Sequence, residues 1–339
     1  MTDRLHDLPR VSLWPDPTPL EAQHNLAAAA DAASILVKRD DCNGLAFGGN
    51  KVRQLEFYLG EAKAQGADTV LSTGAVQSNF VRTAAAACRK LGWDIHVQLE
   101  NRVAKDDRDY EKSGNVLLDT MLGATIHHYP VGEDESGADR RLHEIADELR
   151  GQGRTPYVVP MHPDHPPLGA LGYVVAAEEL VAQMNETGAS PDEIFVASGS
   201  GNTHSGLLYG LRRLGCDVPV TGVCVRRNAE DQHGRILGHI GRIAEMLGTV
   251  SPVSEADIRI TDAFLAPGYG TAGPAALDAI RLTARSEALI LDPVYTGKVM
   301  AALLADAADQ PGRQLMMIHT GGGPSIFGYV DDLYAGMAS

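Results

Sequence analysis

Several features that assign a chain to a specialised class of protein are missing from this sequence. No apolar run reaches the roughly 18 residues that cross a membrane, and the N-terminal stretch "MTDRLHDLPRVSLWPDPTPLE" lacks the apolar centre of a signal peptide. The four cysteines lie far apart without a CxxC pair, which argues against a zinc knot and a dense disulfide scaffold. We therefore expect a cytoplasmic protein whose cysteines are small buried hydrophobic residues.

The sequence also lacks a long basic block. Its formal net charge is -15, spread along the chain, so neither nucleic acid nor an anionic membrane surface is an expected partner. If an anion binds here, local geometry must hold it. The chain has 339 residues, and because single cores stop growing at roughly 250 to 300 residues, we expect two domains that share a cleft.

Short apolar, β-branched runs alternate with segments of helical periodicity along most of the chain. This alternation predicts an α/β protein with open, twisted, mostly parallel sheets and helices on both faces. Ligands of such sheets bind at the carboxyl ends of the strands. The predicted strands are "TVLST", "DIHVQLE", "ATIHHYP", "TPYVVP", "EIFVAS", "VPVTGVCV", "ALILD" and "QLMMIHT".

A glycine-rich turn follows one predicted strand in "EIFVASGSGNTHSGLLYGLRRLG". The strand is predicted to end near Ser198 and a helix to begin near Ser205. Glycines let backbone amides converge, and a helix N-terminus adds partial positive charge, so the turn suits a phosphate group. A plain strand-to-helix turn is the alternative. This turn matches neither GxxxxGK[ST] nor GxGxxG, and the residues after Gly201 do not supply the context of a nucleotide-dependent dehydrogenase.

Two further turns and one lysine stand out. "TVLSTGAVQSNFVRTAAAACRKLG" holds Ser78 and Asn79 before a helix that ends at Gly92, and either polar residue is also a natural N-cap. "HTGGGPSIF" places Thr320 after another strand. In "LAFGGNKVRQLEFYLGEA", Lys51 begins a predicted helix, and from this stretch alone a surface charge is the simpler interpretation.

Taken together, these stretches resemble a known family. "KRDD", "GLAFGGNKVRQLEF", "GAVQSN", "SGSGNTHSG", "PGYG", "LDPVYTGK" and "HTGGGP" occur in order over residues 38 to 328. They resemble the pyridoxal-phosphate enzymes grouped as D-cysteine desulfhydrases and 1-aminocyclopropane-1-carboxylate deaminases, which have the tryptophan-synthase-β-like fold. The resemblance implies a pyridoxal 5'-phosphate cofactor, a small amino-acid substrate and a homodimer. It also implies a large domain, residues 1-52 and 162-339, and a small mobile domain, residues 53-161.

The resemblance implies a role for each matched residue. Lys51 would bind the cofactor's aldehyde and then act as the base at the substrate Cα, for which burial must lower its pKa. Ser78 would relay a proton, and Tyr269 and Tyr295 would orient the substrate or exchange protons with the leaving group, although either tyrosine could instead be a packing residue. The cofactor-binding residues would be Lys51, Asn50, Asn79, Ser200, Gly201, Asn202, Thr203, His204 and Thr320, and the substrate-binding residues Gln77, Ser78, Asn79, Phe80 and Thr296.

Two positions bear on the branch of this family. The deaminases have glutamate where this chain has Thr296 and leucine where it has Thr320. A hydroxyl near the pyridine nitrogen supports a weaker electron sink than a carboxylate, which favours loss of a good leaving group from Cβ over ring opening. We therefore predict a D-cysteine desulfhydrase, in which an aminoacrylate hydrolyses to pyruvate and ammonia after sulfide leaves.

Departures from the family pattern leave the substrate open. Many desulfhydrases have histidine at the position of Phe80 and a second glycine at the position of Asn202. L-cysteate sulfo-lyase, which releases sulfite, is an alternative, with Arg53, Arg82 and His204 as candidate cations for the sulfonate. A deaminase and a non-catalytic binding protein are less favoured. His162 and His165 in "MHPDHPPLG" lack companion ligands, so we predict no metal and a closing loop instead.

Overall fold

Two sheets, one of six strands and one of four, form the framework of the protein. The computed structural model describes residues 3–132, 134–160 and 165–337. In this part of the chain the strands are β1 (Leu20–Ala22), β2 (Ser34–Arg39), β3 (Thr69–Ala75), β4 (Asp94–Glu100), β5 (Thr125–Tyr129), β6 (Pro156–Val158), β7 (Glu193–Ser198), β8 (Val220–Cys224), β9 (Arg259–Thr261) and β10 (Gln314–His319).

Helices connect most of these strands. They are α1 (His24–Ala29), α2 (Lys51–Ala64), α3 (Asn79–Leu91), α4 (Arg108–Lys112), α5 (Gly114–Met121), α6 (Glu135–Gly151), α7 (Leu168–Thr187), α8 (Asn202–Arg213), α9 (Ala229–Leu247), α10 (Pro274–Glu287), α11 (Thr296–Asp309) and α12 (Val330–Met337). Short 3-10 turns span Leu5–Asp7, Asp40–Cys42, Leu45–Phe47, Glu255–Asp257 and Gly323–Gly328.

The larger sheet has the strand order β1-β2-β10-β7-β8-β9 and is parallel except for the antiparallel edge strand β1. The smaller sheet, β5-β4-β3-β6, is parallel throughout. Its strands all lie between Thr69 and Val158, within the segment predicted as the small domain. The boundaries of that domain, and its mobility, stay predictions.

Helices cover both faces of each sheet, as the alternating sequence pattern predicts. On the larger sheet, α7, α8 and α9 pack on the face of Met316, and α10 and α11 pack on the face of Met317. On the smaller sheet, α2 and α3 pack on the face of Val70, and α6 packs on the face of Leu71. The central strand β10 is apolar from Leu315 to Ile318 because both of its faces are buried.

Several local predictions are corrected by the structure. "ALILD" is not a strand: Leu289 and Leu291 are buried and Ile290 is exposed, but both edges of β10 are already paired, with β2 and β7. Conversely, "SILVKR" forms β2, which the sequence pattern did not predict. Helix α8 begins at Asn202, three residues earlier than expected.

The cysteine prediction is right for two of the four side chains. Cys88 and Cys224 are buried, whereas Cys216 is half-buried and Cys42 is exposed. His162 lies outside the described residues, so the predicted closing loop is not described either. Among the residues that are described, no helix has both the length and the apolar character of a membrane span.

Candidate active site

A close approach of two glycine-containing loops sets the position of Lys51. A Cβ added at Gly49 would lie 2.9 Å from the carbonyl oxygen of Thr320, and one added at Gly321 would lie 2.7 Å from the Cα of Gly49. Both glycines also have positive φ, at 112° and 91°. The Asn50 amide donates to the Thr320 carbonyl at 3.0 Å. The first residue of α2, Lys51, is thereby held at the carboxyl end of β10.

The environment of Lys51 favours the neutral amine. Burial lowers the pKa of Lys51 from 10.5 to about 8. Its Nζ lies 5.8 Å from the centre of the Phe80 ring, which offers an apolar surface. A lysine with such a pKa can act as a base or nucleophile near neutral pH, as the sequence analysis required.

One pocket between the carboxyl ends of the two sheets brings together most of the predicted site residues. It is also lined by Thr73, Gly74 and Ala75 of β3 and by Ala197 and Gly199 at the end of β7. The predicted residues that line it are Asn50, Lys51, Ser78, Asn79, Phe80, Ser200, Gly201, Thr203, Tyr269, Tyr295 and Thr320.

The turn between β7 and α8 has the features of an anion cradle. Gly201 has a φ of +96° and gives α8 no side-chain cap. In the described part of the chain, the amides of residues 200–204 donate to no backbone carbonyl or side chain. Asn50 Nδ2 and Gln54 Nε2 donate to Thr203 Oγ1 at 2.8 and 2.9 Å, which leaves the Thr203 hydroxyl proton for another acceptor. The N-terminus of α8 can therefore hold a phosphate group.

The turn after β3 combines a helix cap with a pocket wall. Ser78 Oγ accepts a hydrogen bond from the Val81 amide at 3.3 Å, so Ser78 is the N-cap of α3. It also lines the pocket, so its capping role does not remove it from the site. Asn115 Nδ2 donates to Asn79 Oδ1 at 3.0 Å and fixes the orientation of that side chain.

Two tyrosines face each other at the pocket. Their hydroxyl oxygens, of Tyr269 and Tyr295, are 2.8 Å apart, and their rings pack edge to face. Burial, and then the neighbouring Tyr269, raise the pKa of Tyr295 well above 10. Lys298 Nζ donates to the carbonyls of Leu265 and Gly268 at 2.9 and 2.8 Å and so holds the loop that carries Tyr269. The pair is suited to passing a proton rather than to holding a tyrosinate.

The structure does not support two predicted substrate contacts. Gln77 Nε2 donates to the carbonyls of Tyr110 and Ser113, at 2.6 and 2.9 Å, and its Oε1 accepts from the Asn115 amide at 2.9 Å. Its side chain therefore fixes residues 110–115 and does not line the pocket. Thr296 is also outside the lining.

Thr296 is instead held at the start of its own helix by the Asp292 carboxylate. Its amide and hydroxyl donate to Asp292 Oδ1 at 2.9 and 2.7 Å. The sequence predicts the Thr296 hydroxyl near the pyridine nitrogen, where the deaminases have glutamate. The position of this hydroxyl gives no support to that role. Thr320 does line the pocket, and its pairing with the pyridine nitrogen stays a prediction.

Two predicted phosphate-loop side chains point elsewhere. Asn202 Nδ2 donates to the Tyr58 hydroxyl at 3.1 Å. His204 Nδ1 lies 3.2 Å from Ser198 Oγ, and burial lowers the pKa of His204 to about 4. An imidazole that is neutral at physiological pH is no cation for a sulfonate. Only the backbone amides of these two residues remain available to an anion.

The other candidate cations are structural as well. Arg53 forms ion pairs with Asp40 and Glu179, both at 2.9 Å. Arg82 donates to the carbonyls of Ala46 and Gly48 and thus holds the loop before Lys51. Neither side chain lines the pocket.

Charged residues that sequence reasoning missed also line the pocket. They are Glu100, Arg102, Glu135, Asp139, Arg226, Arg227 and Arg235. One signal was available: "RR" at 226 and 227 follows the predicted strand "VPVTGVCV", and the carboxyl end of a parallel strand is where ligands bind. Because Arg102 and Arg235 belong to no motif, only the fold identifies them. Among the described residues, no group of three or more His, Cys, Asp or Glu side chains is arranged to hold a metal ion.

Known proteins are similar to this chain over nearly its whole length. D-cysteine desulfhydrases of Salmonella typhi and Salmonella paratyphi A are each 39% identical over 331 residues, which cover 96% of this chain and 98% of theirs. A solved structure described as an ACC deaminase homologue has a TM-score of 0.86 and 36% identity, and the match covers 98% of this chain and 97% of that one. A fungal L-serine ammonia-lyase from Rhizomucor miehei, 18% identical, shares the fold with a TM-score of 0.65, over 94% of this chain and 98% of its own.

The residues present fit pyridoxal phosphate. Lys51 supplies an amine of lowered pKa for the aldehyde, and the uncapped N-terminus of α8 supplies amides for the phosphate. The predicted fold family is confirmed by the solved structures. Residues 11–321 match the family described as "Pyridoxal-phosphate dependent enzyme", and this chain belongs to that family, with pyridoxal phosphate as its cofactor.

Proposed function

We propose that the enzyme eliminates sulfide from D-cysteine, so that D-cysteine and water give pyruvate, ammonia and hydrogen sulfide. The observation that carries this proposal is the match of nearly the whole chain, at 38 to 39% identity, to relatives that are D-cysteine desulfhydrases. The pocket that Lys51 lines also offers polar groups for a small amino acid, namely those of Ser78, Asn79, Tyr295 and Thr320.

Residues from both sheets would hold the cofactor. Lys51 would bind its aldehyde, the amides of residues 200–204 and the Thr203 hydroxyl its phosphate, and Asn79 its ring hydroxyl. Thr320 would face the pyridine nitrogen. When bound, pyridoxal phosphate supplies an electron sink for the electron pair left at Cα after loss of the Cα proton.

Lys51 would act as the base at the substrate Cα. Its pKa of about 8 leaves about a tenth of the amine neutral at pH 7, and the burial that causes this also excludes water from the amine. The Phe80 ring beside Nζ provides no competing proton acceptor. Only the neutral amine can take the Cα proton, and burial, by lowering the pKa of Lys51, makes that form available.

The turn after β3 would bind the substrate carboxylate. Ser78 and Asn79 are the cap and the first residue of α3, where the helix end carries partial positive charge. A carboxylate there would place the Cβ substituent elsewhere in the pocket, where the tyrosine pair also lies. Tyr269 or Tyr295 would then donate a hydrogen bond to the departing sulfur, which leaves as hydrosulfide and takes its second proton from water.

A substrate panel tests the proposal. D-cysteine, L-cysteine, L-cysteate and 1-aminocyclopropane-1-carboxylate are offered separately, and pyruvate, sulfide, sulfite and 2-oxobutyrate are measured. We expect pyruvate and sulfide in equal amounts from D-cysteine, with both lost in the Lys51→Ala variant. The assignment would be overturned if sulfite forms from L-cysteate, or 2-oxobutyrate from the cyclopropane, faster than sulfide forms from D-cysteine.

We propose further that the enzyme acts in the cytoplasm as a homodimer in which the segment 53–161 closes over the substrate. Glu135 of α6 forms ion pairs with Arg226 and Arg227 after β8, at 2.7 and 2.8 Å, and so links the two sheets beside the pocket.

Exposed Leu117 and Met121 on α5 offer apolar surface to a second copy. Light scattering at dilute concentration tests the dimer, and a monomer that retains full activity would contradict it.

A further inference from the structure

Two arginines hold the outer side of the 199–201 turn. Arg227 lies between β8 and α9, and its Nη1 donates to the Gly199 carbonyl at 3.2 Å. Arg235 lies on α9, and its Nε donates to the Ser200 carbonyl at 2.7 Å. Neither residue belongs to the glycine-rich motif, yet both line the same pocket as the turn.

The geometry of the peptide unit turns these contacts into a constraint on the cradle. In a trans peptide the carbonyl and the following amide point in opposite directions within one plane. An arginine that fixes the Gly199 carbonyl therefore fixes the direction of the Ser200 amide, and one that fixes the Ser200 carbonyl fixes that of the Gly201 amide. In the part of the chain described, neither amide donates to a protein acceptor. The Ser200 and Gly201 amides are thus held in directions in which they can donate to a ligand.

The positive charge around the turn also favours the binding of a phosphate group. A protein with a net charge of -15 repels a dianion at long range, so binding a phosphate monoester needs local positive charge. Glu135 offsets part of the arginine charge through its pairs with Arg226 and Arg227. Arg235 keeps its charge at neutral pH, because burial and then Arg227 lower its pKa only to about 10.

We propose that Arg227 and Arg235 are positioning residues that orient the amides of the 199–201 turn and set the affinity of the pocket for the phosphate group of the cofactor. The ligand class is a dianionic phosphate monoester. The inference depends on the cofactor and not on the identity of the amino-acid substrate.

A pair of aldehydes isolates the phosphate contribution. Cofactor-free wild type, Arg227→Met and Arg235→Met are titrated with pyridoxal phosphate and with 5-deoxypyridoxal, which has the same aldehyde but no phosphate, and binding is followed by absorbance. We expect each variant to bind pyridoxal phosphate about tenfold or more weakly, as for loss of a charge-assisted contact, and 5-deoxypyridoxal with less than about twofold change. Rising salt concentration is expected to reduce the difference in pyridoxal phosphate affinity between wild type and the variants.

Matched variants keep the experiment decisive. Arg141→Met removes the same charge from an exposed position on α6 outside the pocket lining and is expected to bind both aldehydes as wild type does. Arg235→Lys retains the charge and is expected to bind pyridoxal phosphate more tightly than Arg235→Met, even if the methionine variant folds poorly. Equal weakening for both aldehydes would show a merely structural role, and unchanged phosphate binding would refute the proposal. Because no amino acid is present, either result is separate from the sulfide assay.

Discussion

Replacing the buried amine of Lys51 is expected to stabilise the cofactor-free enzyme. Burial lowers the pKa of Lys51 from 10.5 to about 8, so near pH 7 the folded protein holds an ammonium that the unfolded chain would hydrate freely. At about 1.4 kcal/mol for each pKa unit, this difference costs the folded state about 3 kcal/mol. Lys51→Met keeps a similar stem without the charge, so its free energy of unfolding near pH 7 should be higher by up to about that amount.

The sign of the pH dependence makes this prediction specific. Between about pH 8 and 10.5 the unfolded wild type binds more protons at position 51 than the folded protein, so wild-type stability rises with pH through this window. The Lys51→Met variant lacks this gain. The stability difference between the two proteins should therefore be largest below about pH 8 and almost vanish by pH 10.5.

Urea denaturation of both cofactor-free proteins at about pH 7 and pH 10 measures this difference. Lys63→Met, an exposed position on the same helix, is the control and should show a small difference that does not depend on pH. A Lys51→Met variant that is less stable than wild type at pH 7 would refute the argument from burial. A stability difference from wild type that is the same at both pH values would refute it as well.

Four other substitutions test three separate contacts of the site. Ser78→Ala should lower the free energy of unfolding by about 1 kcal/mol through loss of the α3 cap, and should lower kcat as well if Ser78 relays a proton, both measured on the same preparation. Gln77→Leu should destabilise the protein by about 1 to 3 kcal/mol with little change in KM, because its three hydrogen bonds serve residues 110–115; a large rise in KM at unchanged stability would restore it as a substrate ligand. Tyr269→Phe and Tyr295→Phe should lower kcat non-additively, since they share one hydrogen bond, and fully additive losses would show that the hydroxyls act separately.

The sequence predicts the fold class well because its patterns are local. Most of the parallel strands here are short apolar runs, and most connections to a following helix carry a glycine or a cap, so the alternation is readable without knowledge of the packing. The sequence pattern fails where pairing with a neighbouring strand decides whether a segment becomes a strand. "ALILD" has the alternating burial of a strand but pairs with no strand in the described part of the chain, whereas "SILVKR" becomes β2 because β10 pairs with it.

The same distinction applies to the site. Lys51 and the turn at 199–201 lie in continuous motifs and are recognisable by residue type and order. Thr296 and Gln77 also lie in such motifs, but short hydrogen bonds to Asp292 and to residues 110–115 turn them away from the pocket, and sequence order carries no information on direction. Arg235 enters the site only because α9 follows β8 beside the turn, whereas the position of Arg227 after a predicted strand is readable from the sequence.

The most direct test of the account is to identify the lysine that binds the cofactor. Borohydride reduction of the purified holoenzyme fixes the link, and digestion with mass spectrometry locates it. We predict that the cofactor mass is found on the peptide that contains Lys51. Lys298 is the informative competitor, since burial lowers its pKa to about 8 as well, while its amine is held by two carbonyls of the loop before Tyr269. Cofactor on Lys298, or on no peptide at all, would contradict the account.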